Sequence, residues 1–148
     1  MTPARLRRTM NLWPPYLAAG IKVLDIADDW TSASVRMRVR RFNANYFGTA
    51  FGGSLSSMSD PFYTLLATNQ LGRDYLVWDT AGEIDFVSPG KGEIFGTYQL
   101  SRAVADEIRA EAANGRKHLR WFETDLTHAD GTVVARVRRQ VYVRRKRR

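Results

Sequence analysis

One stretch of this chain combines the length and apolar periodicity of a central helix, and two signals within it compete. Residues 45–72 read NYFGTAFGGSLSSMSDPFYTLLATNQLG. The stretch opens on a turn punctuated by Gly48, Gly52 and Gly53 and then carries Leu55, Met58, Phe62, Leu65 and Leu66. With about 100° of rotation per residue, those five side chains fall on one stripe, and Asp60 falls about 140° from Leu55, on the opposite side. That side is small or polar: Gly53, Ser56, Ser57, Thr64 and Ala67. Gly72 is placed to end the helix.

Pro61 divides the reading. A helix running from near Gly53 holds Pro61 in its interior, leaves the Ser57 carbonyl unpaired and kinks beside Asp60. Alternatively, Ser59-Asp60-Pro61 is itself a helix start, with Asp60 as the capping residue.

Every other readable segment is a strand or a connector. Ala33, Val35, Met37 and Val39 alternate with Ser34, Arg36, Arg38 and Arg40, the period of a half-buried strand. Residues 21–27, 75–87, 93–101, 117–127 and 132–143 read as five more, with Gly82 expected to mark a bulge. Ser88-Pro89-Gly90-Lys91-Gly92 and Ala129-Asp130-Gly131 are hairpin turns. Hairpin-linked strands imply an antiparallel sheet. Residues 1–10 read as a loose leader and NLWPPYLAAG (11–20) as a short helix ended by Gly20. Residues 102–116, rich in alanine and charge, read as a connection with at most a helical turn. In the final strand Val133, Ala135, Val137, Val141 and Val143 share a face that Arg139 interrupts.

A length of 148 residues suits one domain with a sizeable core. There are no cysteines, so disulfides and thiolate ligands are excluded. There is no apolar run long enough for a membrane span. The basic start followed by a proline-broken LWPPYLAAG does not make a signal peptide, so the cytoplasm is the expected compartment. The net charge of +8 raises the question of nucleic acid, but five of those charges sit in the terminal run 144–148, which reads as a frayed basic tail. The arginine faces Arg36/Arg38/Arg40 and Arg136/Arg138 suit solvent, or phosphates such as those of coenzyme A.

Other chemistries find little support. Asp79, Glu83 and Asp85 share a face of their strand, which suits a solvated or arginine-paired surface better than a metal site. His118 and His128 are isolated, without zinc spacing. No nucleophile elbow, Walker motif or dinucleotide fingerprint is present. Phe42, Tyr46, Phe47, Phe51 and Trp78 are expected in the core or around an acyl chain. No cofactor or metal is called for.

From NLWPPYLAAGI, the Asn45-to-Gly53 stretch, MSDPFY and GRDYLVWDTAGEIDFVSPG, the chain resembles the hotdog-fold thioesterase superfamily. Within it, the chain is most similar to the uncharacterised DUF4442 group, over roughly residues 10 to 143. The resemblance implies an α+β single domain in which an antiparallel sheet wraps one long helix. It also implies an acyl-CoA thioesterase whose sites lie between the subunits of a homodimer or dimer of dimers. In the phenylacetyl-CoA thioesterase-like branch an asparagine precedes His-Gly-Gly by six residues, and a carboxylate follows that histidine by nine. Asn45, Gly52, Gly53 and Asp60 match; Phe51 stands where the histidine would be. The carry-over gives Gly53 and Gly52 the polarised carbonyl, Asp60 the base or nucleophile and Asn45 a polar supporting role. Phe51, Ser57 and Thr64 join Gly52 around the substrate. Asp60 is expected to be partly desolvated. Phe51 motivates a second expectation, a non-catalytic acyl-CoA or fatty-acyl binder. The basic tail motivates a third, a nucleic-acid or anionic-surface binder, ranked last.

Overall fold

The computed structural model describes residues 1–146. The elements run α1 (Pro3–Asn11), α2 (Pro14–Ala19), β1 (Ile21–Ile26), β2 (Ser32–Arg38), α3 (Gly52–Ser57), α4 (Phe62–Leu71), β3 (Tyr75–Phe86), β4 (Glu93–Gln99), α5 (Arg102–Glu111), β5 (His118–Thr127) and β6 (Val133–Arg145). The six strands form one antiparallel sheet in the order β1-β2-β4-β5-β6-β3, so β3 is a free edge.

The inner face of the sheet carries Val23, Val35, Met37, Ile94, Tyr98, Leu126, Val137, Val141 and Val143, all buried. Leu55, Met58, Phe62 and Leu66 meet them from the helical layer, and Leu65 is half-buried. Two aromatic stacks lock α4 down: Phe62 on Tyr98 at 4.8 Å between ring centroids, and Tyr63 on Phe122 at 4.6 Å. Such pairs add to area burial through ring-edge electrostatics.

The central helix is not continuous. Met58 to Pro61 separate α3 from α4, and the Asp60–Pro61 peptide is cis. Pro61 has no amide hydrogen to continue the ladder, and it caps α4 with its carbonyl, which accepts from the Leu65 amide at 2.9 Å. Both competing readings are therefore corrected. The first helix does begin at the glycine pair, and the second does begin at the proline, with Pro61 rather than Asp60 at the cap position.

The carbonyls stranded by the break are each taken by a neighbour. The Tyr16 hydroxyl donates to the Ser57 and Asp60 carbonyls. The Tyr98 hydroxyl donates to Met58 at 2.6 Å, and Arg139 Nη2 donates to Ser56 at 2.7 Å.

Two further expectations are corrected. Residues 3–11 are not a loose leader but α1. The Thr2 hydroxyl caps it, accepting from the Arg5 amide at 3.3 Å, and Pro3 occupies the first turn, where proline is favoured. Asn11 then pairs with the Val23 backbone in both directions, at 2.9 and 2.7 Å, and Arg7 donates to the Leu24 carbonyl, which covers the β1 edge. Residues 102–111 are a full helix, capped by Ser101. Ala105, Ile108 and Ala112 bury one small-residue face.

The register shift in β3 falls between Asp79 and Ala81, not at Gly82. β6 runs on to Arg145, and the Lys146 amide donates to the Asp74 carbonyl, so this part of the basic run is structured. Its last two residues lie outside the described part.

Tyr16→Phe leaves the Asp60 carbonyl without its donor. We expect the variant to fold and to lose about 1–3 kcal/mol in urea unfolding.

Candidate active site

The loop before α3 is shaped by Asn45. Its Oδ1 accepts from the Phe47 amide at 3.0 Å and from the Thr49 amide and hydroxyl at 3.1 Å each, and its Nδ2 donates to the Ala50 carbonyl at 3.2 Å. The side chain is thereby committed to the turn, which Gly48 completes at φ 73°. The Ala50 amide donates to the Gly90 carbonyl at 2.8 Å and ties the loop to the turn after β3.

At the start of α3 the Phe51 carbonyl accepts from the Ser54 and Leu55 amides. The amides of Gly52 and Gly53 have no partner among the described residues, as befits a first turn. A Cβ on Gly52 would lie 2.8 Å from the Phe86 ring and one on Gly53 2.5 Å from the Phe51 ring, so an exposed ring would have to move aside at either position. Phe51, at the position of the absent histidine, thus lies against Gly53 and is 57% exposed.

A cavity of about 510 Å³ opens beside this turn, lined among others by Asn45, Phe47, Gly52, Leu55, Phe86 and Val87. A second, of about 400 Å³, lies between α2 and the loop, against Phe42 and Phe51. The five aromatics expected in the core or around an acyl chain are all exposed in the single chain. Tyr46 at 97% and Phe47 at 82% are the extremes, and Trp78 stacks on Tyr142.

The second half of the site is the break. Ser57 turns its hydroxyl back to the Gly53 carbonyl at 2.8 Å. Ser59 is buried; it donates to the Ser56 carbonyl and accepts from Arg139 Nε and Nη2 at 3.1 and 2.7 Å. Asp60 is exposed in the single chain. Thr64, one turn on in α4, donates its hydroxyl to Asp79 on β3.

Asp79 reaches α4 from the inward face of β3, and the register shift follows it. Tyr75, Val77 and Asp79 point towards the helices; past the shift Ile84 does so, and Glu83 and Asp85 face outwards. The three carboxylates therefore do not share a face. Glu83 instead pairs with Arg138 at 2.8 Å, and among the described residues no three His, Asp or Glu side chains cluster to hold a metal. Arg139, the interruption in β6, lies on the inner face opposite Gly82, where a Cβ would meet its Nη1 at 2.6 Å.

The electrostatics of this cluster follow from burial. Asp79 is held above the usual aspartate range, chiefly by burial and also by the nearby Asp60; the Thr64 hydrogen bond and Arg139 oppose the rise. Tyr16 is likewise pushed up by burial and by Asp60, with Arg139 opposing, so it stays a donor. The outer-face arginines are paired: Arg36 and Arg38 with Glu93, Arg136 with Asp125, and Arg138 with Glu83 and Glu123.

The predicted site residues thus fall into two groups. Asn45, Gly52, Gly53 and Phe51 surround the start of α3. Asp60 and Thr64 stand at the break, with Ser57 between the groups. Tyr16, Ser59, Asp79 and Arg139 were not predicted as site residues; a polar residue inside an apolar strand face (Arg139) was the available signal.

DUF4442, a domain of unknown function, matches residues 4–143, and the chain belongs to this family. Its structure is similar to a protein of unknown function from Pseudomonas aeruginosa described as a probable thioesterase, with 20% identity, 97% of each chain covered and a TM-score of 0.83. It is similar to a putative thioesterase from Shewanella oneidensis, with 22% identity, 97% of this chain and 96% of that one covered and a TM-score of 0.69. It is also similar to a mutant of the phenylacetic acid degradation protein PaaI from Thermus thermophilus, with 21% identity, 88% and 98% covered and a TM-score of 0.60. No curated protein matches the sequence. The architecture is therefore the hotdog fold expected from the sequence, with its central helix in two pieces. No helix among the described residues is long and apolar enough to cross a membrane.

The raised Asp79 carboxyl means that the native state holds its proton to higher pH than the unfolded chain does. Stability falls as pH rises from the unfolded value to the native one, and the penalty persists above it. We expect Asp79→Asn to melt at a higher temperature than wild type at pH 7. The gap should close as pH falls below about 3.9, where both states are protonated.

Proposed function

We propose that this protein hydrolyses acyl-CoA thioesters at a site shared by two subunits. The observation that carries the reading is the pairing of two unpartnered glycine amides at the start of α3 with an exposed carboxylate, Asp60, beyond its end. A tetrahedral intermediate places negative charge on the former carbonyl oxygen. The Gly53 amide, with Gly52, is the donor pair suited to it, a contribution of about 3 kcal/mol in such sites. Asp60 takes a proton from the attacking water, the carbon–sulfur bond breaks, and the proton returns to the thiolate sulfur.

Gly53 opens α3 and Asp60 lies past its end, in the break, whereas reacting atoms must approach to about 3 Å; we take the two groups that serve one carbonyl from different subunits. Two copies joined along the free β3 edge would bring the amides of one to Asp60 of the other and would remove an exposed edge. That interface would also desolvate Asp60 and cover part of the exposed aromatic surface. The cavity beside Gly52 suits an acyl chain. Asn45 contributes by holding the loop, Ser57 lies between the two groups and Thr64 stands at the break with Asp60. The cytoplasm, where coenzyme A thioesters are made and used, is the compartment this reading implies.

One observation favours a second reading, a binder without turnover: Phe51 places an apolar ring where a polar group would help orient the substrate. The two are separated by thioester hydrolysis across short, long and aromatic acyl-CoAs, with Asp60→Asn beside wild type. We expect turnover in wild type and a loss of 100-fold or more in the variant, on the order of general-base effects. Saturable binding with no turnover selects the second reading.

A further inference from the structure

We propose that Asp79 is a positioning residue for the water that Asp60 activates, acting through the hydroxyl of Thr64. The inference rests on the hydrolytic reading above, with Asp60 working through water.

A threonine hydroxyl has one proton to give and two lone pairs to offer. Thr64 gives its proton to Asp79. Towards any other partner its oxygen then only accepts. An attacking water has two protons and must keep a lone pair directed at the carbonyl carbon. Donating one proton to Asp60 and the other to Thr64 Oγ1 leaves that lone pair free. Without Asp79 the Thr64 hydroxyl would rotate and donate to the water, occupying the lone pair that attacks.

The surroundings favour this assignment. Thr64 stands four residues after Asp60, across Pro61, and the usual alternative for a helical threonine is to donate to the carbonyl four residues back. That carbonyl, Asp60 O, is already held by the Tyr16 hydroxyl. Arg139, which faces the same cluster, spends Nε and Nη2 on Ser56 and Ser59, and Asp79 forms no ion pair among the described residues. Asp79 faces inwards in alternation with Tyr75 and Val77, and the register shift directly after it turns the later carboxylates outwards. Glu83 and Asp85, on the outer face, lack this access. Half-buried, beside another carboxylate and with one hydrogen-bond partner, Asp79 burdens the fold where it stands.

In the reaction the Thr64 proton stays on threonine and Asp79 exchanges none. The water oxygen bonds to the carbonyl carbon, its proton passes to Asp60, and the carbon–sulfur bond breaks with that proton returned to sulfur.

The test is a kinetic cycle on the acyl-CoA that wild type turns over fastest, with melting temperature read beside it. Asp79→Leu removes the acceptor and frees the Thr64 hydroxyl to turn to the water. We expect kcat to fall about 10-fold to 100-fold, the size of effect that follows from misplacing a reacting group, with KM within about twofold and no loss of melting temperature. Thr64→Val should fall similarly, Thr64→Ser should keep most of the activity, and the double variant should be no worse than the poorer single one. Wild-type kcat in Asp79→Leu overturns the proposal, as do multiplicative losses in the double variant. No turnover in wild type, or full turnover in Asp60→Asn, overturns the hydrolytic reading itself.

Discussion

The structure depends on how the backbone is satisfied where the central helix breaks. Pro61 withholds an amide: the Ser56 and Ser57 carbonyls keep only the amides three residues on, Ser59 at 3.1 Å and Asp60 at 3.2 Å, and those of Met58 and Asp60 have no backbone partner among the described residues. Leaving such groups unpaired costs about 1–3 kcal/mol each. Three long side chains from three different elements reach in to meet them: Tyr16 from α2, Tyr98 from β4 and Arg139 from β6. Each donor is held protonated or charged, the two tyrosines because burial disfavours their anions. The break is therefore a junction where α2, both halves of the central helix and the sheet are pinned together.

That junction explains features of the sheet that have no apolar rationale. Arg139 occupies an inward position otherwise filled by Val137, Val141 and Val143, and β3 presents Gly82 opposite it, where a Cβ would crowd the guanidinium. The register shift between Asp79 and Ala81 then sends one acidic residue inwards and two outwards. The inward one meets Thr64; of the outward ones, Glu83 meets Arg138. A single irregularity in an edge strand thus sorts three carboxylates between the candidate site and the surface ion pairs.

Much of this was legible in the sequence, for reasons that particular residues make clear. Strict alternation at Ala33 to Arg40 marks a strand, and the strand limits fall within a few residues of those expected. The Gly52-Gly53 pair marks the start of α3, and Gly72 its counterpart's end, at φ 89°. Three features were hidden. The competing signals at Pro61 each described half of the break, because a local pattern cannot say that Tyr16 and Tyr98 stand ready to take the stranded carbonyls. α1 and α5 are each amphipathic, with Met10 beside Leu6 and Ile108 beside Val104 and Ala105, but these few apolar residues do not stand out among the alanines and charges around them. The separation of Asp79 from Glu83 and Asp85 follows from a shift in pairing with β6, which no residue in YLVWDTAGEIDFV announces.

The central claim is that a carboxylate at position 60 performs chemistry rather than shaping the break. Its most direct test is chemical rescue of acyl-CoA hydrolysis in Asp60→Ala, followed by release of the free thiol. The chain has no cysteine to interfere with that signal. The account predicts that turnover is lost in the variant and returns in part as formate is added, with saturation. Turnover equal to wild type in the variant, with or without formate, would contradict it.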